Sequence, residues 1–84
     1  MAEEQVALVV KFFTKPSVAA LQIQAPVKKG DILRFLGHTT DFTQEVTSME
    51  IDNKPVEEAG DGDLVGIKTK ERVRENDKVY RVEE

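Results

Sequence analysis

The 84-residue sequence has no cysteine and one histidine, and both shortages restrict the chemistry it can carry. Without cysteine the chain can form neither disulfides nor thiolate metal sites. No apolar run approaches the ~18 residues of a membrane-spanning helix, and the N-terminal residues are acidic where a signal peptide would be basic. We therefore expect a soluble, cytoplasmic protein that has no membrane segment.

Positive charge is also in short supply, because 12 Lys and Arg residues face 16 Asp and Glu residues, for a net charge of −4. Nonspecific phosphate binding needs a positive surface, so a general nucleic-acid binder is not expected, although a local basic patch remains open. The phosphate-binding pattern Gly-x-x-x-x-Gly-Lys-Ser/Thr is absent, as is any cofactor fingerprint. The sequence therefore predicts no bound nucleotide and no cofactor.

Short alternating patterns, rather than a helical period, run through the chain. Between Val18 and Ala25, Leu21 and Ile23 share one face while Gln22 and Gln24 share the other, which is typical of a half-buried strand. Comparable patterns predict further strands at residues 6–13, 32–36, 41–51, 64–70 and 79–83. In the strand at 41–51, Thr47, Met49 and Ile51 would share a face, with a β-bulge near Val46.

Turn signals separate these strands. The dipeptides Gly30-Asp31, Gly62-Asp63 and Asn76-Asp77 each precede a short apolar run, and glycine and asparagine are the residues that best accept a positive φ. We therefore predict positive φ at Gly30, Gly62 and Asn76. Residues 15–17, Lys-Pro-Ser, and residues 52–55, Asp-Asn-Lys-Pro, read as further turns, the latter as a hairpin.

These signals predict one all-β domain spanning residues 1–84, a small closed Greek-key β-barrel of about six strands. Closure is expected because a lone sheet of this size would leave exposed edges. The predicted interior consists of Leu21, Ile23, Met49, Ile51, Val65 and Ile67.

Three motifs resemble the second domain of elongation factor Tu and related translational GTPases. They are Val-Lys-Lys-Gly-Asp-Ile-Leu at 27–33, Met-Glu-Ile at 49–51 and Ala-Gly-Asp-Gly-Asp-Leu-Val-Gly-Ile at 59–67. Asn76-Asp77-Lys78-Val79 stands where that family has a Gly-Asp/Gln-Val-Leu strand. Residues 53–59, Asn-Lys-Pro-Val-Glu-Glu-Ala, also resemble the C-terminal barrel of collagenase-like peptidases.

The two resemblances imply different partners. A barrel of the first kind contacts aminoacyl-tRNA and the ribosome, while the nucleotide chemistry resides in a separate P-loop domain that this chain lacks. A barrel of the second kind is an accessory module for protein interaction. Both resemblances imply a non-enzymatic binding module, and the oligomeric state stays open.

The one dense cationic stretch is a candidate contact for RNA or a partner. Lys68, Lys70, Arg72 and Arg74 alternate, so in an extended strand they would share one face. The alternative is a solvated strand face, which Glu71 and neighbouring acids partly neutralise.

Other candidates have simpler structural explanations. His38 lies in a polar loop beside Thr39, Thr40 and Asp41, and sequence neighbours rarely form a catalytic triad. The carboxylates at positions 57, 58, 61 and 63 lack the spacing of an EF-hand, so local turn hydrogen bonds are favoured over a cation. Phe12 and Phe13 are adjacent and should point to opposite faces, which would leave one for stacking or a protein contact.

The missing phosphate loop leads to a direct expectation. The purified chain mixed with GTP and Mg²⁺ should release phosphate no faster than buffer does. Turnover that survives repurification would contradict it.

Overall fold

Ten β-strands, and no helix, make up the described part of the computed structural model, residues 2–15 and 17–83. No helix there could span a membrane. The strands are β1 (Ala2–Phe13), β2 (Val18–Ile23), β3 (Val27–Lys28), β4 (Ile32–Leu36), β5 (Asp41–Glu45), β6 (Met49–Ile51), β7 (Lys54–Val56), β8 (Glu58–Ala59), β9 (Leu64–Lys68) and β10 (Lys78–Glu83).

Eight of the strands form one sheet in the order β5-β4-β10-β1-β2-β9-β6-β7, and β3 and β8 form a small second sheet. All pairs are antiparallel. The long β1 pairs with β10 through its first half and with β2 through its second half. Its register shifts once between Gln5 and Ala7 and again between Val9 and Lys11. Such irregularities bend a strand, so β1 can serve both neighbours.

The core follows the predicted alternation. Leu21, Ile23, Met49, Val65 and Ile67 are buried, and Ile51 is partly buried against them, as predicted. The cross-strand pair Phe35 and Phe42 adds a ring stack whose centroids lie 5.0 Å apart.

Three turns share one hydrogen-bond pattern, and the turn at residues 28–31 illustrates it. Asp31 Oδ2 accepts a bond from the N–H of Lys28 at 3.0 Å, and the N–H of Asp31 donates to the Lys28 carbonyl at 3.1 Å. The turn then exchanges two backbone bonds with Val46, from Gly30 N–H to its carbonyl and from its N–H to the Asp31 carbonyl, at 2.9 and 2.8 Å. Gly30 has a φ of 95°, as predicted.

The other two turns repeat the same four bonds. At 60–63 the side chain of Asp63 accepts from Gly60 N–H at 2.8 Å, and the turn exchanges backbone bonds with the buried Ile23. At 74–77 the side chain of Asp77 accepts from Arg74 N–H at 2.9 Å, and the turn exchanges backbone bonds with the buried Val9. The third residues, Gly62 and Asn76, have φ values of 93° and 73°, which confirms both predictions.

The predicted hairpin at 52–55 is also confirmed. Asp52 and Asn53 have φ values of 53° and 65° and join β6 to β7, with Ile51 paired to Lys54. Two positive φ values in a two-residue loop are the signature of a type I′ hairpin. Pro55 lies in β7 at the end of the sheet order, where a missing N–H costs little.

The predicted closed barrel of about six strands is wrong, because the sheet is open and has more strands. In the sheet order β5 and β7 are the two ends, so no ladder joins them among the described residues. Near β5, the side chain of Gln44 bridges to the segment after β9, donating to the Lys68 carbonyl and accepting from Lys70 N–H, both at 2.9 Å. The link between β5 and the segment after β9 is therefore made by one side chain and not by a backbone ladder.

Two strand predictions also need correction. The predicted strand at 41–51 is interrupted, since β5 ends at Glu45 and β6 begins at Met49. Val46 is not a bulge; it leaves β5 to pair with the turn at 28–31, and Thr47 is exposed rather than on the face of Met49. The strand predicted at 64–70 ends at Lys68. Part of the predicted turn at 15–17 lies outside the described residues, because Pro16 is not described.

Glycines 60 and 62 offer a matched test of the turn geometry. An added Cβ would meet nothing within 4 Å at either position, but only Gly62 has a positive φ. Gly62→Ala should therefore lower the free energy of unfolding by about 1–2 kcal/mol, the cost of a left-handed conformation. Gly60→Ala should stay within about 0.5 kcal/mol of the parent. Equal losses in urea unfolding would contradict the proposed role of φ.

Candidate functional site

A shallow groove of about 410 Å³ on the outer face of the sheet is the best-formed candidate site. We call it the Phe13 groove, and its lining includes Phe13, Ala20, Glu50, Asp52, Leu64 and Gly66. These residues come from β1, β2, β6, β9 and the turn between β6 and β7. The central strands therefore build the groove together.

Small residues form the floor of the Phe13 groove. Ala20 of β2 pairs with Gly66 of β9, and Gly66 pairs in turn with Glu50 of β6. A Cβ built at Gly66 would just contact Cγ1 of Val18, at 3.4 Å, so any larger side chain at this position would stand above the floor. A ligand backbone can approach a sheet most closely at such positions.

Large apolar side chains border this floor. Phe13 is 45% exposed and Leu64 is 56% exposed. Phe13 pairs with Val18, two residues before Ala20, whereas Leu64 pairs with Gln22, two residues after it. The two exposed side chains therefore lie on opposite sides of the floor along the strand direction.

The two adjacent phenylalanines separate as predicted. Phe12 packs against the core, while Phe13 faces outward. The ammonium of Lys11 lies 5.2 Å from the centroid of the Phe13 ring, within cation–π range. An exposed phenylalanine at this position is the feature that we expected to serve either stacking or a protein contact.

Negative charge surrounds the apolar surface. Among the described residues that line the groove, Glu50, Asp52 and Asp63 carry carboxylates and none is cationic. One oxygen of Asp63 accepts the Gly60 N–H, whereas the side chains of Glu50 and Asp52 form no hydrogen bond or ion pair with a described residue. The groove is therefore apolar in its floor and walls and acidic at its border.

The predicted cationic contact is divided. Lys68 and Lys70 line one hollow, with the segment that joins β5 to β6, and Arg72 and Arg74 line another, beside Phe12. The segment between Lys68 and β10 is not a strand, so the four side chains do not form one strand face. All four residues are exposed. Arg74 also donates to Thr39 Oγ1 at 3.1 Å.

His38 lies exposed in the turn between β4 and β5. It lines a hollow of about 440 Å³ together with Glu75, Asp77 and Tyr80. The Asp77 carboxylate is buried and accepts from Arg74 N–H, and it occupies the space where a Cβ of Gly37 would stand. No hydrogen bond joins His38 to a carboxylate among the described residues.

Two of the acidic residues considered as cation ligands form local contacts instead. Asp63 supports its own turn, and Glu57 pairs with Lys29 Nζ at 3.5 Å. No group of three metal-ligating side chains is close enough to hold an ion within the part of the chain that the structure describes.

A surface ion pair joins β4 to β5 and shifts the pKa of both its partners. Hydrogen bonds from the Arg34 guanidinium lower the pKa of Asp41, and the same bonds, with a further one to Glu3, raise the pKa of Arg34. The pair ties β4 to β5 and to β1 and lies outside the Phe13 groove.

Sequence reasoning found Phe13 but missed Leu64, Gly66 and Glu50. A signal for Leu64 was available, because it precedes a predicted inward Val65 and so alternates outward. No local signal marks Gly66 as a floor, since that role depends on the pairing of β9 with β2 and β6.

The chain has curated relatives whose names describe proteases, although no protein-family model matches it. It is 41% identical over 81 residues to an uncharacterized protease of Methanocaldococcus jannaschii and 34% identical over 74 residues to a collagenase of Porphyromonas gingivalis. These alignments cover 95% and 86% of this chain but 20% of each relative. The chain therefore spans about one fifth of the length of the curated relatives it matches.

Solved structures share the fold. The C-terminal domain of a Geobacillus thermoleovorans protein assigned to the U32 peptidases superposes with a TM-score of 0.89 at 19% identity. The alignment covers 95% of this chain and 93% of that domain. A selenomethionine variant of the same domain gives 0.86 at 20% identity, covering 90% and 96%. Together with the curated relatives, this supports the resemblance to collagenase-like peptidases, whereas the resemblance to elongation factor Tu gains no support.

Binding of RNA by the cationic stretch stays a prediction. The two separate pairs of cationic residues can be tested by substitution. Any RNA binding should be weak and salt-sensitive. The logarithm of the binding constant should fall with the logarithm of the salt concentration with a slope of about −2 to −3, as for three or four phosphates on a single strand. Lys70→Glu with Arg72→Glu should abolish the binding without lowering the melting temperature, because exposed charges add little stability.

Lys54→Glu is a control, since Lys54 is exposed on β7 and lies outside the cationic stretch. Fluorescence anisotropy with a single-stranded RNA at low salt measures the effect. No association under those conditions would remove the RNA hypothesis.

Proposed function

We propose that this chain is a non-enzymatic accessory β-domain that binds protein, of the kind found in proteins related to U32 peptidases and collagenases. The observation that carries the proposal is the Phe13 groove, where exposed Phe13 and Leu64 flank a floor of small residues. Exposed apolar side chains grouped around a concavity are typical of protein-interaction sites.

The lengths of the relatives support an accessory role. A segment that matches one fifth of a protease or collagenase leaves four fifths of that protein for a catalytic unit. The matching domain of the Geobacillus thermoleovorans protein has been solved as a separate domain with the same fold. We infer that catalysis in such proteins belongs to the longer remainder.

The chemistry of the chain also favours binding over catalysis. His38 has no hydrogen-bonded carboxylate among the described residues, and the buried Asp77 beside it is engaged in a turn. A general base needs an oriented partner within hydrogen-bond reach of the reacting group. The hydrogen bond that Asp77 accepts in the turn at 74–77 explains that carboxylate without a reaction.

The proposal favours a protein partner over tRNA or the ribosome. An exposed Phe13 beside an acidic border suits a polypeptide better than a phosphate backbone, which carboxylates repel. The divided cations offer no single positive groove comparable to the apolar one.

A peptide array tests this function. Immobilised dodecapeptides of varied composition are probed with the labelled chain and with Phe13→Ser and Leu64→Ser. We expect binding to a subset of peptides, lost in both variants because each removes an exposed apolar contact, and no cleavage of bound peptides in solution by mass spectrometry.

Ile32→Ser is the matched control, because Ile32 is 39% exposed and lies outside the groove. It should bind as the parent chain does. Binding to no peptide, or cleavage that persists through repurification, would overturn the proposed function.

A further inference from the structure

We propose that the Phe13 groove takes an extended polypeptide segment in which lysine or arginine side chains alternate with large apolar ones. The inference rests on the proposed function and adds the chemistry of the partner. It follows from three properties of the groove: unpaired carboxylates, two separated apolar side chains and a floor without bulky side chains.

The carboxylates of the groove are available to a ligand. Glu50 and Asp52 are exposed, and neither carboxylate forms a hydrogen bond or ion pair with a described residue. They differ in this from Asp41, whose carboxylate is paired with Arg34 at 3.0 Å. A cation supplied by a partner would meet unpaired negative charge at the border of an apolar surface, where part of the solvent is displaced.

The apolar side chains are spaced for an extended segment. Phe13 and Leu64 lie about four residues apart along the strand direction, which is roughly 13 Å at the rise of a β-strand. They are also two strands apart, roughly 10 Å across β2, so a segment that reaches both runs diagonally over the floor. Alternate side chains of an extended ligand share one face, so apolar residues about four to six positions apart can reach both contacts. The intervening lysine or arginine side chains start on the face away from the floor, and their long aliphatic stems let the charged ends bend back to the acidic border.

The floor permits the approach of a backbone. Gly66 has no side chain and its partner Ala20 has one methyl group, so the surface between Phe13 and Leu64 is recessed. Filling this recess with a branched side chain would block a peptide without removing any charge or apolar contact.

Charge favours a basic, apolar polypeptide in the Phe13 groove over a second copy of the chain or a nucleic acid. A second copy of the chain carries a net charge of −4 and would bring further negative charge to an acidic border. A nucleic acid would bring phosphates to the same carboxylates. A basic and apolar polypeptide complements both the border and the walls. Lys11, over the Phe13 ring at 5.2 Å, shows that this ring accepts a cation.

Fluorescence anisotropy with two labelled dodecapeptides tests the inference. One alternates lysine with leucine and phenylalanine, and the other has glutamate in place of each lysine. We expect the lysine peptide to bind, and Phe13→Ser to weaken it about fivefold or more, as for a contact residue in an interface. Glu50→Gln with Asp52→Asn should weaken it about threefold or more at low salt, and added salt should shrink that difference.

Two further variants separate the groove from general charge. Glu71→Gln with Glu75→Gln removes the same charge from exposed positions outside the groove and should leave affinity unchanged. Gly66→Val should block binding while the thermal melt stays cooperative. A Cβ at position 66 would contact Cγ1 of Val18 at 3.4 Å without overlapping it.

The outcomes separate this inference from the proposed function. Equal binding of the glutamate peptide, or equal weakening by both charge pairs, would overturn the charge preference while groove-dependent peptides on the array keep the proposed function. Failure of the lysine peptide to bind would overturn the inference. Light scattering that shows a dimer lost in Gly66→Val would identify a second copy as the occupant instead.

Discussion

The fold depends on an aspartate that closes its own turn and then holds the turn to a buried strand. In each of the three turns the Asp carboxylate accepts the N–H of the first turn residue. The backbone around that Asp exchanges two bonds with Val46, Ile23 or Val9, all buried. One residue type thus satisfies local backbone groups and joins segments that lie far apart in the chain.

The turn at 60–63 connects this scaffold to the groove. Its backbone bonds to Ile23 set where β9 begins, and β9 pairs with β2 from Leu64 onward. With Val65 buried, Leu64 must face the other side of the sheet. The same turn therefore fixes an apolar wall of the groove and places Asp63 beside it.

Local signals in the sequence predict these turns and most of the core, because glycine or asparagine before aspartate and alternating apolar residues act over a few positions. Barrel closure is predicted wrongly because strand edges depend on long-range contacts. Gln44 is 24 residues from Lys68, and no pattern near Gln44 shows that its amide will meet that carbonyl. The interruption of the strand at 46–48 was not predicted for the same reason, since Val46 pairs with a turn that is distant in the sequence.

The groove resists prediction more than the fold does, because it is a property of neighbouring strands rather than of any segment. Phe13, Ala20 and Gly66 become neighbours through the pairing of β1 with β2 and of β2 with β9. Those strands are central, so their backbones are bonded on both sides and the floor exists before any ligand arrives. A preformed surface avoids the entropic cost of ordering a loop on binding. A small, open sheet can therefore serve as a recognition surface although it carries no residue constellation for catalysis among those described.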